Sequence, residues 1–160
     1  MISGEDVLFV ATAEARDEEM RQRIEVHKQS RPSHWTTLET PTGLGTAIPE
    51  RAGDARVILV DCITLMVNAV FNRFGEHLND AEMEKAVMEE VDGLIDCMSR
   101  LSDRDFLIVT NEVGLGLVPD NEAGRFYRDI LGKANSALAV ACDEVYLMVA
   151  GLPLKIKPGE

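Results

Sequence analysis

No apolar run in the 160-residue chain approaches the roughly 18 residues needed to cross a membrane as a helix. The opening residues Met1-Ile2-Ser3-Gly4-Glu5-Asp6 lack the basic start and apolar stretch of a secretory signal. Both absences predict a cytoplasmic protein. Positive charge is scarce: 16 Lys and Arg stand against 28 Asp and Glu, for a formal net charge of −12. A surface this acidic repels phosphate backbones, which argues against general nucleic-acid binding. A nucleotide ligand stays open, because a few local cations and backbone N–H groups can hold one phosphate chain. Cysteine is sparse: Cys62, Cys97 and Cys142 are far apart and form no C-x-x-C pair. They read as reduced, buried thiols, not as a disulfide frame or metal site. His34 and His77 match no metal-ligand spacing, and there is no H-E-x-x-H. Repeats, low-complexity tracts and linkers are missing too. Hydrophobic residues are plentiful, at 46%, enough for one packed core in a single domain over residues 1–160.

Four runs predict buried strands: Val7-Leu8-Phe9-Val10, Val57-Ile58-Leu59-Val60, Phe106-Leu107-Ile108-Val109 and Val145-Tyr146-Leu147-Met148-Val149. They are continuous, not alternating, the pattern of a parallel sheet covered on both faces. Helices are predicted over 16–29, 63–74, 81–101 and 122–142, with Asn79 or Asp80 capping the third and Gly75 stopping the second. Residues 36–56 hold Pro41, Gly43, Gly45, Pro49 and Gly53 and predict a loop with one short helix. A short last strand, Leu154-Lys155-Ile156, is expected after a turn at Gly151-Leu152-Pro153. Alternating strands and helices make an α/β plan. In such a sheet the strand ends share one edge where ligands bind, which gathers Thr12, Asp61 and Asn111-Glu112 around one site.

Three constellations carry chemistry. Met20, Ile24 and His27 share one helical face, so His27 reads either as a partly buried core histidine or as a reactive one. Lys28 and Arg31 beside it, and Pro32 ending the helix, favour attack on a phosphate, with neutral imidazole as nucleophile and the cations offsetting charge. Asp61 follows a strand, as a Mg²⁺-holding acid does, and equally as a helix cap does. The loop Asn111-Glu112-Val113-Gly114-Leu115-Gly116-Leu117-Val118-Pro119 reads as a strand-to-helix connection or as a substrate-facing loop. Gly43-Leu44-Gly45 reads as a turn, and Lys155 and Lys157 as solvated charges.

Ala11-Thr12, the run His27-Lys28-Gln29-Ser30-Arg31-Pro32 closed by Trp35, Asp61-Cys62-Ile63-Thr64 and Asn111-Glu112-Val113-Gly114-Leu115-Gly116 together resemble one family. It is the bifunctional adenosylcobinamide kinase/adenosylcobinamide-phosphate guanylyltransferase of cobalamin biosynthesis, and the similarity runs from about Asp6 to Lys157. The resemblance implies an α/β, parallel-sheet, P-loop-type nucleotide-binding fold. It implies two reactions: ATP or GTP phosphorylates adenosylcobinamide, and GTP then guanylylates a histidine that passes GMP to the corrinoid phosphate. The matching histidine is His27. GTP or its Mg²⁺ would be contacted by Thr12, Ala13 (through its backbone), Glu14, Lys28, Gln29, Ser30, Arg31, Glu39 and Asp61, with Asp61 on the metal. Homo-oligomers, trimers by resemblance, are expected.

The chain departs from the family in one place. Members open with a strand, a G-x-x-x-x-G-K-[ST] loop and a helix, and these 160 residues contain no such motif. Either the missing unit lies upstream, or this is a shortened, catalytically impaired paralogue that binds nucleotide or corrinoid, or only assembles with a partner. As given, the chain is expected to show unpaired strand edges and uncovered apolar surface.

Overall fold

The computed structural model describes residues 6–74 and 79–159. The chain forms two compact units, the first ending at Asn111 and the second beginning at Glu112. The elements of the first are β1 (Val7–Ala11), α1 (Glu18–Gln29), β2 (Thr36–Glu39), α2 (Leu44–Arg51), β3 (Val57–Asp61), α3 (Ile63–Phe74), α4 (Asp80–Arg100) and β4 (Asp105–Val109). The second holds α5 (Glu122–Ala141), β5 (Val145–Val149) and β6 (Leu152–Lys157).

In the first unit the four strands form one parallel sheet in the order β2-β1-β3-β4. This α/β sheet is consistent with the P-loop-type nucleotide-binding class. All five residues of β1 are buried, as are Val57, Ile58 and Val60 of β3. Continuous apolar runs suit these central strands because a helix or loop covers each face. The register puts Glu39 and Asp61 on either side of Ala11, and Val109 beyond Asp61. The carboxyl ends therefore lie in one row.

The strand β2 was not expected from its sequence. Thr36-Thr37-Leu38-Glu39 has no apolar run, and its extended form is set by pairing along β1 from Leu8↔Thr36 to Ala11↔Glu39. The short helix expected in 36–56 is α2, and it contains Pro49. Proline has no N–H for the carbonyl four residues earlier. That carbonyl belongs to Gly45, and the Arg100 guanidinium of α4 donates to it at 3.0 Å instead. Gly45 also lets the helices meet closely: a Cβ there would lie 2.3 Å from the Gly93 carbonyl oxygen.

The helix α4 is capped by Asn79, whose side chain accepts from Glu82 N while the Glu82 carboxylate accepts from Asn79 N. Its buried face is Met83, Val87, Val91, Leu94 and Cys97. The proposed stop at Gly75, and His77, lie outside the described residues. Cys62 and Cys97 are buried, and burial pushes both thiols above their ordinary pKa; Cys142 is only half-buried, with its thiol shifted the same way by the same cause.

In the second unit, the run 145–149 forms a strand but not a buried parallel one. β5 pairs antiparallel with β6 in a separate two-stranded sheet. The turn between them is Ala150-Gly151, with φ of 50° and 78°. Two residues at positive φ form a tight hairpin turn, and so short a connection permits only antiparallel pairing. The last strand therefore starts at Leu152, earlier than expected. Tyr146, Met148, Val149, Leu152, Leu154 and Ile156 are exposed, as are Leu107 and Val109 of the edge strand β4.

Lys155 and Lys157 are not merely solvated. Lys155 Nζ pairs with Glu144 at 2.5 Å. Lys157 Nζ donates to the carbonyls of Ala139, Val140 and Cys142 at 2.9, 3.0 and 2.5 Å, satisfying the carboxyl end of α5. No described helix is long and apolar enough to cross a membrane.

Candidate active site

A cleft of about 760 Å³ lies over the carboxyl ends of the central strands in the first unit. α1 forms one wall. Asp17 starts this helix by accepting from Met20 N at 2.7 Å, and Glu18 and Glu19 follow it in the first turn. The Ser30 hydroxyl donates to the His27 carbonyl at 2.8 Å and Pro32 prevents continuation. His27 thus sits in the last turn. It is solvent-exposed, and α1 buries no residue at all. The core-histidine reading therefore does not hold.

The aromatic ring of Phe9, on β1, organises the cluster. The Arg31 guanidinium carbon lies 3.7 Å from its centroid. His27 meets it edge-on at 5.7 Å, and Trp35 stacks on it at 6.3 Å. A partly exposed cation–π contact of this kind contributes about 0.5–2 kcal/mol. Arg31 Nη1 donates to the Thr37 hydroxyl at 3.3 Å, and Nη2 lies 3.4 Å from His27 Nδ1. Arg31 Nε and Trp35 Nε1 are buried without a hydrogen-bonding partner, so ring packing holds these groups. Burial lowers the Arg31 pKa, while Glu39 and Asp61 act in the opposite direction.

Of the residues singled out from sequence, Ala13, His27, Lys28, Ser30, Arg31, Glu39 and Asp61 line this cleft. Lys28 is ion-paired with Glu39, joining α1 to the end of β2. Thr12 is fully buried, and its hydroxyl donates to Cys62 O at 2.7 Å and accepts from Cys62 N at 2.8 Å. It ties the end of β1 to the peptide following Asp61 rather than lining the cleft. Glu14 holds Arg16 at 2.7 Å, and Gln29 donates to Glu25 at 3.0 Å. Asn111 N donates to the Thr64 hydroxyl at 3.0 Å. Glu112 opens the second unit, where its carboxylate accepts from Gly114 N at 2.6 Å.

Sequence reading missed Phe9 and Thr37. Phe9 looked like one more core residue of an apolar strand. Its signal was its place: it lies three residues before Thr12, in the strand whose end was expected to carry the site.

Among the described residues, no three His, Cys, Asp or Glu side chains cluster as a metal site. Two hard carboxylates, Glu39 and Asp61, do flank Ala11 across the sheet and both line the cleft. They stand on opposite sides of β1 and Glu39 is ion-paired with Lys28, which leaves Asp61 as the cleft carboxylate open to a Mg²⁺ held with substrate phosphates and water.

A family model described as cobinamide kinase / cobinamide phosphate guanyltransferase matches residues 1–156. The bifunctional adenosylcobalamin biosynthesis protein CobU of Salmonella typhimurium is 44% identical over 158 residues, covering 94% of this chain and 86% of that protein. Its Escherichia coli namesake is 40% identical over 156 residues, with the same coverage. The corresponding protein CobP of Pseudomonas aeruginosa is 39% identical over 155 residues, covering 97% of this chain and 84% of its own. A family match over residues 1–156, with relatives 39–44% identical across most of their length, makes this protein a member of the cobinamide kinase / cobinamide phosphate guanyltransferase family.

Proposed function

We propose that the chain transfers GMP from GTP to adenosylcobinamide phosphate through a guanylyl-histidine on His27. The observation that carries this reading is an exposed histidine at a helix end, walled by Arg31 and Lys28, facing a cleft with two carboxylates. A neutral imidazole is a competent nucleophile toward phosphorus once the phosphate charge is offset. Arg31 and Lys28 supply that offset from the protein side. Mg²⁺, when bound, would neutralise charge on the triphosphate, held by Asp61 with Glu39 as neighbour. Dividing the transfer into two steps means that the corrinoid phosphate and the triphosphate need never be bound together as two adjacent anions.

Incubation with α-labelled GTP and Mg²⁺ is expected to give an acid-labile, alkali-stable label, absent from His27→Ala. An equally labelled His27→Ala variant overturns the assignment.

The family also supports the kinase reaction, phosphorylation of adenosylcobinamide by ATP or GTP. The 160 residues contain no G-x-x-x-x-G-K-[ST] cradle for β- and γ-phosphates. A protein of these residues alone is therefore expected to phosphorylate weakly or not at all. A GTP titration separates this reading from that of a paralogue that only assembles, because the assembly role predicts no binding. The one-sided edge of β4 and the exposed apolar hairpin support a homo-oligomer, which sedimentation velocity would test.

A further inference from the structure

The His27–Arg31 contact has a chemical consequence for the nucleophile. A guanidinium carries donors only and no lone pair. At 3.4 Å from Arg31 Nη2, His27 Nδ1 must therefore be the accepting nitrogen. In a neutral imidazole the other nitrogen, Nε2, then carries the proton. The lone pair available for attack is on Nδ1, beside the cation.

In the nucleotide-free protein two contacts hold Arg31 in this position. Its guanidinium is stacked 3.7 Å over the Phe9 ring and its Nη1 donates to Thr37. The same ring meets His27 edge-on, so one buried side chain of β1 seats both the cation and the imidazole.

We propose that Phe9 is a positioning residue that, through Arg31, presents His27 for attack through Nδ1, with guanylylation at that nitrogen. The inference rests on the guanylyl-transfer reading above. The step balances as follows. The Nδ1 lone pair forms a bond to the α-phosphorus of GTP. The bond from that phosphorus to the bridging oxygen breaks, and pyrophosphate leaves with the electron pair. The ring then sheds its Nε2 proton to solvent. An arriving phosphate competes for the Arg31 guanidinium, so the group that covers Nδ1 in the free protein moves to the substrate when the lone pair is needed.

The test uses the full chain with ¹⁵N-labelled histidine. After reaction with GTP and Mg²⁺, nitrogen–phosphorus correlation is expected to show the phosphoramidate on Nδ1 of His27. A phosphoramidate on Nε2 overturns this inference and leaves the guanylyl-transfer reading intact. If no label forms, that reading fails, and the nucleotide-free protein still decides the present one: long-range ¹H–¹⁵N spectra are expected to show Nδ1 unprotonated and Nε2 protonated. A proton on Nδ1 in the free protein overturns it. Phe9→Leu, checked for retained folding by thermal melting, is expected to lower the kcat of guanylylation on the order of tenfold to a hundredfold, with KM for GTP changed by less than about twofold. Phe9→Tyr, which keeps the ring, is expected to restore most of it. Equal loss in kcat for Phe9→Leu and Phe9→Tyr, both folded, overturns the role of the ring.

Discussion

Two strands of nearly the same composition behave differently. β1 reads Val-Leu-Phe-Val-Ala and is buried at every position, whereas β5 reads Val-Tyr-Leu-Met-Val and is buried at none. β1 has a strand on each side, β2 and β3, while β5 pairs with β6 alone. Apolar content alone does not decide which strand joins the core. Neighbours decide it, and a two-residue turn at Ala150-Gly151 gives β5 its hairpin partner within the second unit. The same side-chain chemistry should therefore carry very different energetic weight in the two units.

The sharpest way to break this contrast is one substitution made twice. Leu8→Ala in β1, where the side chain is fully buried, is expected to cost about 2–5 kcal/mol. Leu154→Ala in β6, where it is 56% exposed, should cost less than about 1 kcal/mol. Urea unfolding midpoints would measure both, and comparable losses would remove the distinction.

A second pair examines the close approach of α2 and α4. Gly45→Ala drives a Cβ into the Gly93 backbone and should destabilise by about 1–3 kcal/mol. Gly93→Ala meets only ordinary contact, 3.9 Å from Gly45 Cα, and should be neutral or stabilising by up to about 1 kcal/mol. Opposite shifts in Tm are expected, and losses of the same size at both glycines would refute the asymmetry.

Lys157 offers a test within the second unit. Lys157→Met keeps the aliphatic stem but removes the donor to three carbonyls, and should cost about 1 kcal/mol. Amide exchange should speed up in the last turn of α5 before anywhere in the four-strand sheet. Unchanged protection there would show that water caps those carbonyls equally well.

The smallest effect concerns acid. Hydrogen bonds from Lys155 first, and from Tyr146 second, lower the Glu144 pKa. A depressed carboxylate contributes stability above its unfolded pKa, and that contribution is lost as pH falls through the folded value. The carboxylate is open to solvent, so the change should be slight. Glu144→Gln should flatten the acid side of a stability–pH curve for the hairpin, and an unaltered slope would assign that side to other carboxylates.

Much of the first unit was legible because its signals are local. Continuous apolar runs marked β1 and β3, acidic residues and Asp17 marked the start of α1, and Asn79 marked α4. β2 was invisible because Thr36–Glu39 becomes a strand only by pairing with β1. The parallel reading of β5 failed because its partner choice is set by the Ala150-Gly151 turn, and alanine at positive φ gives no warning in sequence. In the site, His27, Arg31 and Asp61, singled out from the residues themselves, and Glu39, from the family resemblance, line one cleft. The role of Phe9 was hidden, since an aromatic that fills a core and one that also seats a guanidinium look alike in a string of letters. Thr12 was singled out as a ligand contact, but its hydroxyl is already committed on both sides to the Cys62 peptide.

The helix that carries His27 contributes no side chain to the core. Most mutations that alter an enzyme's chemistry also draw on its margin of stability, and that margin is small. Along the outward positions of α1 the two are largely uncoupled. Arg23 and Val26 are exposed and line the cleft, so they can be varied while the folded population stays nearly constant. For directed evolution, this helix offers a wall of the cleft whose changes draw little on the stability of the fold.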